Sequence, residues 1–453
     1  MSNALFAPHA LLPGGWARDV LLSWDDAGVL TQVAPLTAPP VSTTVAAGPL
    51  MPGLPNLHSH AFQRGFAGLS EYRGSAQDSC WTWRELMYRF ALSVSPEQLE
   101  DIATHLYIEM LHAGYTAVCE FHYLHHDPAG NAYADRAEMA MRLIGAAQRA
   151  GIGLTLLPVL YQDAGFGGQP ARADQRRFIN SVGGLSEIAA RARATGTRVG
   201  VAPHSLRAVG PRALAELVAG TDHDAPIHIH IAEQQHEVRE CLAWSGQRPV
   251  QWLLANAAVD ARWCLVHATH MTPDECTALA TTGAVAGLCP STEANLGDGI
   301  FAAEAYVAAG GAWGIGSDSH SGVDGAEELR LLEYTQRLTH ERRNVLASPA
   351  HRQVADHLWL AAAHGGARAS GRAIAGLAVG QQADFVVLDT RGALAGLAPE
   401  QALASHVFSS HRRNTVREVW VAGRPRIQDG EHALGRLACE RFVAARSALL
   451  REM

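Results

Sequence analysis

The sequence predicts an α/β fold: a (β/α)8 TIM-type barrel inserted in a small β-sandwich domain formed by both chain ends. Three observations carry this expectation. Eight apolar runs recur along the middle of the chain, nearly continuous rather than alternating, as in parallel strands buried on both faces. Amphipathic stretches with helical spacing separate them, and eight such units over about three hundred residues is the arithmetic of a closed barrel. Short strand-and-turn texture opens the chain and returns near its end.

In chain order, DVLLSW and GVLTQVAP read as the first strands, followed by a Pro/Thr/Ala-rich stretch near residue 40. The barrel strands are MPGLPNLHSH (51–60), TAVCEFH (116–122), IGLTLLPVLY (152–161), TRVGVAPH (197–204), PIHIHIA (226–232), WCLVHAT (263–269), AVAGLCPS (284–291) and AWGIGSD (312–318). Between them, PEQLEDIATHLYIEMLHAG places Leu99, Ile102, His105, Leu106 and Glu109 at turn spacing, and AEELRLLEYTQRL repeats the theme. ADFVVLDT (383–390) and REVWVAGRPRIQDG (417–430) are late strands. The expected division is a composite β domain (1–50 and 375–436), the barrel (51–374) and a C-terminal helix (437–453).

Composition narrows the chemistry. All 36 basic residues among the 453 are arginine, so the chain has no lysine for a Schiff base, a phosphate loop or a carboxylated bridge between two metals. A net charge of −8 without a basic cluster argues against nucleic acid as a partner. No apolar run has the length and flanks of a membrane span, and the N-terminus lacks the pattern of an export signal. Seven cysteines without a C-x-x-C pair fit buried thiols in a reducing cytoplasm. The excess lies in the 23 histidines.

Barrel catalysis sits where strands end. The polar residues at those ends are His58, His60, His122, Tyr123, His204, His230 with Glu233, His267 and Asp318. Residues two apart on a strand share a face, so His58 and His60 both look toward the axis. A second H-x-H ends in His230, and GSDSH supplies Asp318. Three strand ends converging on ligand types imply one divalent metal held by His58, His60, His230 and Asp318, with Zn²⁺ foremost and iron or manganese also compatible. An open position leaves room for a water made acidic by the ion. Glu233 follows His230 by three residues, beside that water but outside the ligand set, and His267 is placed to hydrogen-bond it. His228 lies a layer deeper and reads as a core histidine; Cys119 and Cys289 read as small buried hydrophobes. His125 and His126 read as a solvated loop, His320 as a neighbour behind the ligands, and STEANLGDG (291–299) as a lid or wall of the mouth.

Together, MPGLPNLHSHAFQRG, DSCWTWRELMYR, CEFHYLHH, PHSLRAV, HIHIAEQ, CLVHATH, LCPSTEANLGDG and GSDSH resemble the amidohydrolase superfamily. Within it they resemble the single-metal deaminase branch and its deiminases of N-formimino-L-glutamate, from about residue 50 to the late β segment. The resemblance implies hydrolytic loss of ammonia to leave N-formyl-L-glutamate, in histidine degradation, by a homodimer. Two-metal relatives carry a carboxylated lysine on the fourth strand, where this chain has His204. The implied substrate has two carboxylates, for which Arg84 and Arg207 offer bidentate partners. Gln63, Tyr123 and His204 match positions expected to hydrogen-bond its glutamyl part, and Trp81 and Trp83 either line the pocket or pack the loop. In the implied chemistry Asp318 takes the proton of the attacking water, His267 orients it and Glu233 protonates the leaving nitrogen. The competing reading is a deaminase of a purine or pyrimidine base, such as guanine or cytosine, which would need a stacking surface and amide partners instead of two arginines.

Overall fold

The structure is a computed structural model that describes residues 3–35, 38–71, 80–349, 351–409 and 415–452, apart from the side chains of 80–82 and 452. The chain opens with strands β1 (Ala4–Leu12), β2 (Gly15–Trp24), β3 (Leu30–Pro35), β4 (Thr44–Val45) and β5 (Leu50–Pro52). The long β1 was not expected. Its pattern ALFAPHALL is almost wholly apolar, and one explicit turn, at Pro13–Gly14, joins it to β2 in a hairpin.

The barrel follows: β6 (Leu54–Ser59), β7 (Tyr115–His122), β8 (Gly153–Leu160), β9 (Arg198–Val199), β10 (Ala202–Pro203), β11 (Ile227–Ile231), β12 (Trp263–His267), β13 (Val285–Leu288) and β14 (Ala312–Ile315). Every pairing among them is parallel. Parallel bridges Val201–Ile227 and Ser205–His230 join the two halves, and Ser59–Asp318 closes the ring. The closing bridge therefore involves a candidate metal ligand, so the ring cannot close without placing Asp318 beside the first strand.

Two expected strands differ in detail. TRVGVAPH (197–204) is not one strand but the two short pieces β9 and β10, which occupy a single position in the ring. A Cβ on Gly200 would stand 2.3 Å from the Pro226 carbonyl oxygen, so the chain bends there against its neighbour. MPGLPNLHSH splits at Gly53, and residues 50–52 leave the barrel for the sheet built by the chain ends.

That sheet is completed by β15 (Phe385–Leu388), β16 (Val416–Val421), β17 (Arg424–Gln428) and β18 (Glu431–His432). Its order is β18-β17-β16-β15-β5-β1-β2-β3, with β4 paired to β1, so β5 and β15 seam the two ends of the chain together. It encloses its own apolar cluster, including Leu5, Val20, Leu22, Leu50, Phe385 and Val387, with Trp24 and Trp420 against Phe385.

Two long helices start at capping side chains. Ser95 caps helix Pro96–His112 with a reciprocal box through Gln98, and Asp324 caps Gly325–His340. The C-terminal helix runs Gly435–Glu452. No described helix is long and apolar enough to cross a membrane.

Candidate active site

The C-terminal ends of β6, β11 and β14 bring His58, His60, His230 and Asp318 together, all buried, with one ligand atom of each within 4.8 Å of the others. The Nε2 atoms of His58 and His60 are 3.1 Å apart, and those of His58 and His230 are 2.9 Å apart. His60 Nδ1 lies 3.0 Å from the Phe121 carbonyl and His230 Nδ1 3.1 Å from the His204 carbonyl. A carbonyl can only accept, so each Nδ1 carries the proton and each Nε2 turns a lone pair inward. Lone pairs crowded this closely repel unless a cation stands among them, so the donor set fits a divalent metal. Burial pushes the His58 ring down to about 3, and His230 also lies well below the usual histidine range, chiefly through burial, so both are neutral ligands. Asp318 is buried beside the His58 and His60 rings. Its Oδ1 faces those two rings at 3.5 and 3.3 Å, while Oδ2 is turned toward His267 Nε2 at 3.6 Å.

Backbone strain concentrates here. Ala232, His267, Ala268, Asp318 and His320 all have φ between 46° and 67°, at or just past strand ends. Non-glycine residues adopt this conformation at a cost that the surrounding fold must hold in place.

His267, at the end of β12, points Nδ1 at Glu293 Oε1, 3.2 Å away. Burial opposes its protonation, but that hydrogen bond together with the charges of Glu233, Asp318 and Glu293 raises it to about 10. Its Nε2 is turned toward Oδ2 of Asp318. Glu233 stands past the end of β11, with Arg207 Nη2 3.8 Å from its Oε2, and its backbone N–H donates to Glu237 at 3.1 Å.

One cavity above the ligands is lined by His60, His230, Asp318, His267, Glu233 and the five expected substrate contacts Gln63, Arg84, Tyr123, His204 and Arg207. Gln63 donates to the Tyr123 hydroxyl at 2.8 Å and Arg84 to the Tyr88 hydroxyl at 2.8 Å. Sequence reasoning missed Tyr88 and Tyr161 in this wall, and Gln175 behind them. Buried Gln175 donates its amide to the hydroxyls of both Tyr88 (3.1 Å) and Tyr161 (2.9 Å), which line the cavity. A hydroxyl that accepts from an amide or guanidinium keeps its own hydrogen, so Tyr123 retains one to donate, while Tyr88 and Tyr161 also hydrogen-bond each other.

Other expectations resolve as follows. His228 is a buried core histidine bonded to the Ala369 carbonyl at 2.7 Å. His320 lies behind β6, between Ser59 Oγ (3.3 Å) and Ser317 Oγ (3.0 Å), and Ser59 in turn donates to buried Glu120 at 2.6 Å. His125 and His126 are not a solvated loop: they are bonded to the carbonyls of Val159 and Ile179, and His125 is 1% exposed. His122 packs against His125, away from the metal ligands. Cys119 and Cys289 are buried, but Cys289 lies just past β13, at the start of helix Pro290–Leu296. Much of the STEANLGDG segment is that helix rather than a loop. It supplies Leu296 to the cavity and Glu293 to His267. Trp83 lines the cavity, whereas the side chain of Trp81 lies outside the described residues.

Comparison with known proteins agrees with this geometry. The profile of the amidohydrolase family matches residues 50–426. The chain is 53% identical to formimidoylglutamate deiminase of Pseudomonas aeruginosa over 99% of its own length and 100% of that protein's. It superposes on the crystal structure of an amidohydrolase from Brucella melitensis with a TM-score of 0.93 and 47% identity, covering 99% of each chain. An adenosine deaminase from Xanthomonas campestris, solved with bound zinc, shares the fold at a TM-score of 0.77 and 23% identity, with 98% of each chain covered.

Proposed function

The chain belongs to the amidohydrolase family, and from that premise we infer that it hydrolyses N-formimino-L-glutamate to N-formyl-L-glutamate and ammonia in histidine degradation. The observation that carries the reading is the single cavity in which the metal-ligand set, Glu233 and the two guanidiniums of Arg84 and Arg207 meet. A bare purine or pyrimidine has no carboxylate for those guanidiniums to pair with.

His58, His60, His230 and Asp318 would hold a single divalent ion, zinc foremost, which would supply an acidified water and a polarising charge. The protein's own residues do the rest. Arg84 and Arg207 pair with the two substrate carboxylates, while Gln63, Tyr123 and His204 hydrogen-bond the glutamyl part and fix the formimino carbon over Asp318. The free Oδ2 of Asp318 takes a proton from the water as its oxygen bonds to that carbon, and His267 orients the oxygen. Glu233 delivers a proton to the terminal nitrogen. The substrate enters as the formimino cation, so that one proton completes ammonia. The C–N bond breaks, the hydroxyl proton of the adduct returns to Glu233 as the carbon becomes a formyl group, and Asp318 releases its proton to solvent.

The same reading includes a cytoplasmic homodimer, checked by sedimentation and fractionation. It divides the chain into a sandwich-like β domain (1–50 and 375–436), the catalytic barrel (51–374) and a terminal helix (437–453). The self-contained apolar cluster of the end sheet supports that division. The activity is tested by ammonia release from zinc-loaded protein given N-formimino-L-glutamate, a formimino amine lacking one carboxylate, or guanine. The dicarboxylate should be turned over with the highest kcat/KM. Preference for guanine would overturn the reading.

A further inference from the structure

At the end of the barrel opposite the catalytic mouth, where β8 and β9 begin, a cavity of about 430 Å³ opens against the β16–β17 hairpin. Arg198, Arg372, Arg424 and Arg426 line it, with Asp26 as its one acidic lining residue. Four guanidiniums meet here in a chain whose net charge is −8, so the concentration is local and not a reflection of overall composition.

Their pairing is incomplete. Arg198 is tied to Asp224 at 2.8 Å, and Arg372 to Gln382 at 3.1 Å and the Leu154 carbonyl at 3.3 Å. Yet the Nε–H groups of Arg198, Arg372 and Arg426 are buried with no partner among the described residues. Buried donors in that state call for an acceptor. Burial and the neighbouring Arg424 push the Arg426 guanidinium down, while Asp384 partly offsets them. The floor is shaped for this arrangement. A Cβ on Gly151 would stand 2.6 Å from Arg426 Cζ, and one on Gly153 3.0 Å from Arg372 Nη2, so both arginines lie flat where no side chain intervenes.

We propose that this cavity is a second binding site, distinct from the catalytic mouth, for a multiply charged oxyanion: a phosphate group or a dicarboxylate. Either presents several oxygens to several guanidinium forks at once.

The test uses metal-loaded protein at constant ionic strength, with melting curves and calorimetry in inorganic phosphate, glutarate and, as control, chloride. The comparison is with Arg424→Gln/Arg426→Gln; the single Arg424→Gln at the exposed position is the fallback if the double variant folds poorly. Phosphate or glutarate should raise the wild-type Tm with concentration beyond chloride, and the more effective of the two identifies the source. The substitutions should weaken that binding at least about tenfold, as expected for lost charge-assisted pairs, with kcat unchanged. No shift beyond chloride with either anion, or the same shift in wild type and variants, would overturn the proposal.

Discussion

In the proposed reaction Glu233 is the acid that passes a proton to the leaving nitrogen. On that reading Asp318, His58, His60 and His230 hold the metal, and His267 is bonded to Glu293. Glu233→Gln should cost roughly 10²–10⁴ in kcat, the usual worth of a positioned proton donor, while metal content stays intact. A near wild-type kcat would remove the shuttle role. Arg84→Ala and Arg207→Ala should act mainly on KM, and an unchanged KM in both would contradict the carboxylate clamp. Gln175→Leu strips two cavity tyrosines of their amide donor, so KM should rise with little change in kcat and an unaltered circular dichroism spectrum. A fall in kcat alone would argue against that orienting role. The convergence of His58, His60, His230 and Asp318, with Glu233 on the same cavity, was legible because strand period and strand-end position fix where such residues point. Gln175 and Glu293 were not. They lie on a short 3-10 turn and a short helix without periodicity, and their partners come from distant parts of the chain. The bonded state of His125 and His126 was hidden for the same reason, since their acceptors are backbone carbonyls 34 and 53 residues away.

Among the elements, those with explicit start signals were read most accurately. The capping box at Ser95 fixes the start of helix Pro96–His112, and Ser95→Ala should lower stability by about 1 kcal/mol, measured by denaturant unfolding. The fourth barrel strand was misread as continuous because its apolar run is continuous. What breaks it is the approach of Gly200 to Pro226, a contact between neighbouring strands. Gly200→Ala should therefore cost roughly 1–3 kcal/mol as an overpacking change, and a neutral effect would show that the bend has slack. The opening strand β1 was overlooked because its nearly unbroken apolar pattern lacks the alternation of a half-exposed strand.

On the scale of the whole molecule, the absence of lysine and the clustering of histidines describe one architecture. The ring closes through Ser59 and Asp318, so the barrel's seam and its metal centre are the same place. Binding of the ion is then also a contribution to folding, since the ligand rings repel one another without it. Chelation should lower the Tm as well as abolish activity, and restoring zinc should recover both; loss of activity with an unchanged Tm would separate the seam from the site. The most direct test of the central claim follows ammonia release from N-formimino-L-glutamate as metal-free protein is titrated with zinc. Activity should rise linearly and saturate at one equivalent per chain, with N-formyl-L-glutamate formed mole for mole with ammonia. Saturation only at two equivalents, or no release from fully loaded protein, would contradict it.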